Sequence, residues 1–313
     1  MPNGAAPSGA LDRAAAIHGR ERSPAVRRPF MAAIQEIHCH MSQTISPAQF
    51  TTYLLDLDGV VYRGAQALPG AVDFVHWADA TGRKVVFVSN NSFSTVAEVA
   101  AKLTRTGMPR PEGRVVTAGS ATADAVAARF PGGRVFPLAN VSLTEVLRDA
   151  GLQPVWEESE EGTAPDAVVI GLDRGLTYAR LRRGLRAALA GAALYAVNRD
   201  PRLPIEDGFE PGTGSIVAAL EYSSGQRAEM IGKPAPGILL QAMRLVGSTP
   251  AETLVIGDGL SLDIVAGHAA NATTALVLSG LTSAAEAEIA SGEQRPELVY
   301  ENLAGLLVAA RAG

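Results

Sequence analysis

The sequence predicts an α/β protein: a doubly wound, mostly parallel β-sheet with a second α/β unit inserted into it. Three observations carry this expectation. Short apolar runs such as "KVVFVS" (Lys84 to Ser89) and "TLVIGD" (Thr253 to Asp258) read as strands buried on both faces. Helical patterns separate these runs, as right-handed crossovers between parallel strands require. The same alternation fills the middle of the chain, and the first style of pattern returns after it.

Taken in order, residues 1–48 mix Arg20, Arg22, Arg27 and Arg28 with alanine, proline and glycine, and show no sustained period. They read as a disordered N-terminal extension. No continuous apolar stretch follows the arginines, so a secretory signal is not expected. His38, Cys39 and His40 offer adjacent ligand types there, but no matching cluster elsewhere completes a metal site.

Residues 49–132 form the first part of the sheet unit. They run from "YLLDLDGVVY" through "KVVFVS" to "RVVTA" (Arg114 to Ala118) and the helix after it. Thr95 and Glu98 match a capping box, and Gly107 sits where that helix should stop. The inserted unit covers residues 133–227. It holds "RVFPL", a helix started by a second capping box at Ser142 and Glu145 and stopped at Gly151, "DAVVIGL", a helix through Leu189, and "ALYAVN". From residue 228 to 313 the first unit resumes with "EMIGKP", "TLVIGD" and "TALVLSG".

Composition narrows the function classes. The 313-residue chain is 47% hydrophobic and 19% charged, as globular proteins are. A formal net charge of −5 lacks the basic surplus of nucleic-acid binders. No apolar run approaches the roughly 20 residues needed to span a bilayer. The single cysteine, Cys39, excludes an intrachain disulfide and fits a cytoplasmic location.

Four stretches place polar groups at the C-terminal ends of buried strands, the edge where open parallel sheets bind ligands. They supply Asp56 and Asp58; Ser89 and Asn90; Lys233; and Asp258 and Asp263. Singly, each has an ordinary reading as a turn, a cap or a solvated charge. Together they gather carboxylates that repel one another unless a cation joins them. Oxygen-only ligation suits Mg²⁺ bound with a substrate phosphate. One carboxylate can then attack phosphorus, and a second, two residues along, can move protons. Lysine, hydroxyl and amide donors can steady the transferring phosphoryl group.

"DLDGVVY", "VSNNS", "GKP" and "GDGLSLD" resemble, in order, the four motifs of the haloacid dehalogenase (HAD) superfamily over roughly residues 50–313. "SNNS", with "GLDRGLTY", "NRD" and "PGTGS" in the middle, resembles the NagD-like class (type IIA). The resemblance implies a Rossmann-like core with an inserted α/β cap, and a Mg²⁺-dependent phosphatase working through an aspartyl-phosphate. It makes Asp56 the nucleophile and Asp58 the acid–base residue. Asp56, the Asp58 carbonyl and Asp258 would ligate Mg²⁺, with Asp263 behind them. Gly59, Ser89, Asn90 and Lys233 would hold phosphate, and Asn198, Arg199 and Asp200 of the cap would meet the substrate. The resemblance also implies a homodimer through the cap.

Two positions depart from the family pattern: Leu262 stands where a threonine is common, and "AANAT" (Ala269 to Thr273) replaces a glycine-containing turn. Asn271 tolerates the left-handed backbone that turn needs. The substrate stays open among sugar phosphates, phosphoglycolate or glycerol phosphate, pyridoxal phosphate and nucleoside monophosphates. A phosphomutase using the same aspartates, or a catalytically silent binding module on the same fold, are the alternatives. No phosphate-binding G-x-x-x-x-G-K-[ST] loop or dinucleotide-binding glycine turn occurs at the expected places.

Overall fold

The computed structural model describes residues 45–91, 93–156, 164–205 and 207–313. The first segment holds β1 (Thr52–Asp56), β2 (Tyr62–Arg63), β3 (Gln66–Ala67), β4 (Lys84–Ser89) and β5 (Val115–Thr117). The middle adds β6 (Arg134–Leu138), β7 (Gln153–Pro154), β8 (Ala167–Ile170), β9 (Ala193–Ala196), β10 (Arg202–Ile205) and β11 (Gly208–Pro211). The last part contributes β12 (Glu229–Met230), β13 (Thr253–Gly257), β14 (Thr273–Val277) and β15 (Leu298–Tyr300).

Six strands form a wholly parallel sheet in the order β15-β14-β13-β1-β4-β5. Its central strand explains why the pattern was readable. Thr52 to Leu55 are all buried, with Tyr53 and Leu55 facing one apolar layer and Leu54 the other. The helices Ala71–Ala80, Val96–Arg105 and Leu303–Ala312 cover the first layer, with Phe74 meeting the Tyr53 ring edge-on at 5.0 Å. Ala118–Arg129 and Gly237–Val246 cover the second through Val126, Leu239 and Met243. From β1 the chain builds outward to β4 and β5, then returns to add β13, β14 and β15 on the other side. That reversal opens a crevice at the C-terminal ends of β1 and β13.

A second parallel sheet runs β12-β9-β8-β6-β7. One face shares the second apolar layer through Val135, Val169, Tyr195 and Val197. The helices Tyr178–Leu189 and Thr213–Ser224 cover the other, where Ala188 and Leu220 pack with Leu138 and Ile170. The ends of its strands meet the first sheet's loops. Asn140, after β6, donates to the Phe93 carbonyl at 3.1 Å, and Asn198, after β9, donates to the Asn90 carbonyl at 3.0 Å.

Three expectations need correction. Glu229–Met230 pairs with β9 in the second sheet, so the first unit resumes a few residues later than residue 228. The helix Val141–Asp149 is capped by Asn140, which accepts from the Leu143 amide at 3.1 Å, and Ser142 lies inside its first turn. Of the N-terminal extension, residues 1–44 lie outside the described residues. Residues 45–48 are ordered: Ile45 packs on the core and Ser46 caps the turn Pro47–Gln49. The Thr95 and Glu98 capping box forms as expected, and Gly107 and Gly151 take positive φ just past their helices. Among the described residues, no helix is long and apolar enough to cross a membrane.

Candidate active site

Asp56 is the last residue of β1, at the mouth of the crevice. The loop after it turns back at once: Val61 and Tyr62 donate to the Leu57 carbonyl at 2.9 and 3.1 Å, and Gly59 donates to the Tyr62 carbonyl at 2.9 Å. The Gly59 amide is therefore spent within the loop rather than presented to phosphate. What Gly59 supplies is room, because at its φ of 84° an added Cβ would strike the Asp258 carboxylate. Asp58 lies in the same loop and reaches solvent. Partial desolvation raises its carboxyl above the usual range, while the Lys102 and Lys233 charges pull it down.

Lys233 follows β12, only 3% exposed, and its ammonium bonds Asp56 and, at 2.6 Å, Asp263 Oδ1. Burial works against the ammonium, but the Asp263 and Asp56 carboxylates outweigh it and hold Lys233 charged. Asp263 accepts from the Gly259 amide through Oδ2 at 3.0 Å, so both its oxygens have protein partners. The chain reaches this position through a widened turn over Leu260–Ile264, in which the Ile264 and Asp263 amides both point at the Gly259 carbonyl. Leu262 is half-buried in that turn and leaves Asp263 in place. The "AANAT" turn also holds: Asn271 has φ 58°, with the Ala272 and Asn271 amides closing onto Gly267 and His268.

Asp258 follows β13 and is fixed from the far side of the crevice. Its Oδ2 accepts from the Leu281 amide at 2.7 Å, and its carbonyl accepts from the Thr282 hydroxyl at 2.6 Å. Gly280 and Gly257 press so closely on Asp258 and Asp263 that neither has space for a Cβ. The Ser279 hydroxyl ties this segment to the Gly59 carbonyl at 2.7 Å. The sequence reading missed residues 279–282, although "LSGLT" sits at the end of a buried strand like the four stretches it did select.

Oxygens of Asp56, Asp258 and Asp263 all lie within 4.8 Å of one another. Burial raises Asp258 to about 6 and raises Asp56 above the carboxylate range. The other carboxylates push in the same direction, against the pull of Lys233. Such an arrangement of hard oxygen donors, destabilised as anions, fits a divalent cation.

Ser89 and Asn90 stand at the end of β4, beside this cluster in the sheet order. The Ser89 hydroxyl accepts from the Asn91 amide at 3.2 Å, and Asn90 Nδ2 donates to the Lys233 carbonyl at 3.2 Å. The three residues expected from the inserted unit divide. Asp200 is half-buried within the electrostatic reach of Lys233, and desolvation raises its carboxyl. Arg199 instead bonds both Glu221 oxygens, at 2.5 and 3.0 Å, and the Ala228 carbonyl. Asn198 is 3% exposed and spends its amide on Asn90.

With this geometry in hand, the similarities are specific. A haloacid dehalogenase-like hydrolase family model matches residues 53–153, and a HAD-hydrolase-like model matches residues 230–306. The 5'-nucleotidase YutF of Bacillus subtilis is 36% identical over 230 residues, 74% of this chain and 88% of its own length. The chain belongs to the haloacid dehalogenase-like hydrolase family. Within that family it is NagD-like. The p-nitrophenyl phosphatase of Archaeoglobus fulgidus superposes with a TM-score of 0.77 at 31% identity, covering 83% of this chain and 99% of that one. A glycerol phosphate phosphatase of Mycobacterium tuberculosis, in complex with calcium, gives a TM-score of 0.75 at 35% identity over 84% of this chain and 76% of its own. The same protein has been crystallised with magnesium.

Proposed function

We propose that this HAD hydrolase is a Mg²⁺-dependent phosphatase that cleaves small phosphate monoesters through an aspartyl-phosphate at Asp56. One observation carries the reading: Asp56 ends the central strand at the reversal point, bonded to a buried lysine inside a three-carboxylate cluster. The phosphatase and nucleotidase relatives, and the metal-bound structures among them, support it. On this reading the first sheet is the catalytic core and the second sheet, from about residue 133 to Met230, is the cap.

The steps follow from the side chains. An Asp56 oxygen attacks phosphorus as the bond to the leaving oxygen breaks. Asp58, whose carboxyl partial desolvation raises, gives that oxygen its proton. Asp58 then takes a proton from the attacking water, and the bond between phosphorus and Asp56 breaks to release phosphate. Lys233 spends two of its three donors on Asp56 and Asp263, and we assign the third to a phosphoryl oxygen. Ser89 and Asn90 flank the same group. Bound Mg²⁺ would supply charge stabilisation from Asp56, Asp258 and the Asp58 carbonyl, with Asp263 supporting from behind. We also propose a cytoplasmic location, which the single cysteine, Cys39, fits. The reading extends to association of two copies through the cap, which exposes Tyr178, Phe209 and Tyr222.

The test is phosphate release from a panel of small esters, with and without Mg²⁺, by wild type and Asp56→Asn. Metal-dependent release that vanishes in a folded Asp56→Asn variant is expected. Release that persists in the variant would sink the covalent mechanism, and no release by metal-loaded wild type would sink the phosphatase.

A further inference from the structure

We propose that Asn198 is a positioning residue for the phosphate-binding edge: it fixes the Asn90–Asn91 peptide, and through it the Ser89 hydroxyl. The inference rests on the phosphatase reading, and it moves Asn198 from a substrate contact to a support beneath the site.

The geometry points there in three ways. First, a single peptide unit is held at both ends. Its oxygen, the Asn90 carbonyl, accepts from Asn198 Nδ2 at 3.0 Å. Its N–H, from Asn91, donates to Ser89 Oγ at 3.2 Å. A peptide is planar, so its oxygen and N–H turn together. Releasing the oxygen lets the plane rotate, and the Ser89 hydroxyl then loses the partner that orients it.

Second, the same junction reaches Lys233. Asn90 Nδ2 donates to the Lys233 carbonyl at 3.2 Å, and the Gly232 amide donates to the Val197 carbonyl, one residue before Asn198, at 3.0 Å. Segments from β4, β9 and the crossing after β12 thus interlock at one point. Gly232 shows how tight the point is: an added Cβ would meet the Val197 carbonyl oxygen, and would lie 2.5 Å from Asn90 Oδ1 and 3.1 Å from the Ala118 Cβ.

Third, Asn198 has little left for a substrate. It is 3% exposed, and its Oδ1 accepts from the Asp200 amide at 3.4 Å. That second bond sets the backbone that carries Asp200 toward Lys233. One buried amide therefore organises both sides of the crevice, the phosphate edge on the core and the acidic residue on the inserted unit.

The experiment compares wild type with Asn198→Leu, which is close in size and uncharged but removes the amide donor, and with Asn198→Ala. It reads inhibition by inorganic phosphate, kcat/KM for two esters with different leaving groups, and Tm. Positioning predicts phosphate inhibition weakened about tenfold, the scale of one lost hydrogen bond to a binding element. It also predicts an equal fall in kcat/KM for both esters. A lower Tm with unchanged phosphate inhibition would overturn the proposal, leaving Asn198 an ordinary buried support. A loss that differs between esters, again with unchanged phosphate inhibition, would also overturn it and restore the substrate contact. Should Asn198→Ala fail to fold, the similarly sized Asn198→Leu decides alone by the same criteria. Failure of the phosphatase reading looks different: wild type releases no phosphate from any ester. Calorimetry of inorganic phosphate on wild type and Asn198→Leu then still tests the positioning, through the same tenfold difference.

Discussion

Two glycines decide how closely the carboxylates of the site approach. Gly59 and Gly280 lie next to each other against Asp258, and a methyl group on either would displace its carboxylate. Gly280→Ala should therefore lower turnover by about 10²-fold, the effect of a misplacement on the order of 1 Å. The accompanying stability loss should be only about 1–3 kcal/mol, as for other overpacked sites. Steady-state rates beside a denaturant melt check both; an active Gly280→Ala would show that Asp258 moves without consequence. Asp58 makes a sharper prediction. Asp58→Asn should lose about 10²–10⁴-fold on an alkyl phosphate, where the leaving oxygen needs a proton. With p-nitrophenyl phosphate the first step needs no such help, so a burst of nitrophenolate should precede a slow second step. Equal losses on both esters, with no burst, would remove Asp58 from the acid role.

At the scale of elements, the inserted unit depends on one ion cluster. Glu221, on the helix Thr213–Ser224, accepts from Arg199, Arg227 and the Ala228 amide. The Arg199 hydrogen bond, helped by the others against burial, pulls its carboxyl down from 4.5 to about 2. A depressed carboxylate contributes stability that is full above the unfolded value and is lost as pH falls through the folded one. The difference in unfolding free energy between wild type and Glu221→Gln should thus shrink from pH 5 toward pH 2. Solvent around Arg227 limits it to on the order of 2 kcal/mol. A difference independent of pH would remove the cluster from the stability of this unit. What was legible in sequence follows the same scale. Strands such as β1, β4 and β13 were readable because burial on both faces forces continuous apolar runs, and the polar groups after them then stood out. β12 was not, since two residues pairing along an edge leave no period. Asn140 was passed over for Ser142 because both fit a cap, and only the backbone path chooses between them. The fate of Arg199 needed Glu221, 22 residues away, to be brought beside it.

The whole molecule sets two parallel sheets so that strand-end loops of one bond strand-end loops of the other, and the cluster of like charges lies at the central reversal of the first. Folding must therefore hold Asp56, Asp258 and Asp263 within 4.8 Å of one another, with Lys233 as the cation bonded among them. One positive charge against three carboxylates leaves the native state with an electrostatic strain that the unfolded chain does not have. A divalent cation that binds only the folded protein removes it, and adds stability by mass action. At a hundred times its dissociation constant the gain is about 2.7 kcal/mol. For a chain of this size that corresponds to a rise in Tm of about 4–5 °C. Adding Mg²⁺ to wild type should produce this shift, and Asp258→Asn should abolish it while raising the metal-free Tm, because one repelling charge is gone. Asp263→Asn should keep part of the shift, since both Asp263 oxygens already have protein partners. Calorimetric melts at several Mg²⁺ concentrations decide the matter without any substrate. A shift equally large in Asp258→Asn, or none in wild type, would mean that the three carboxylates do not hold the cation.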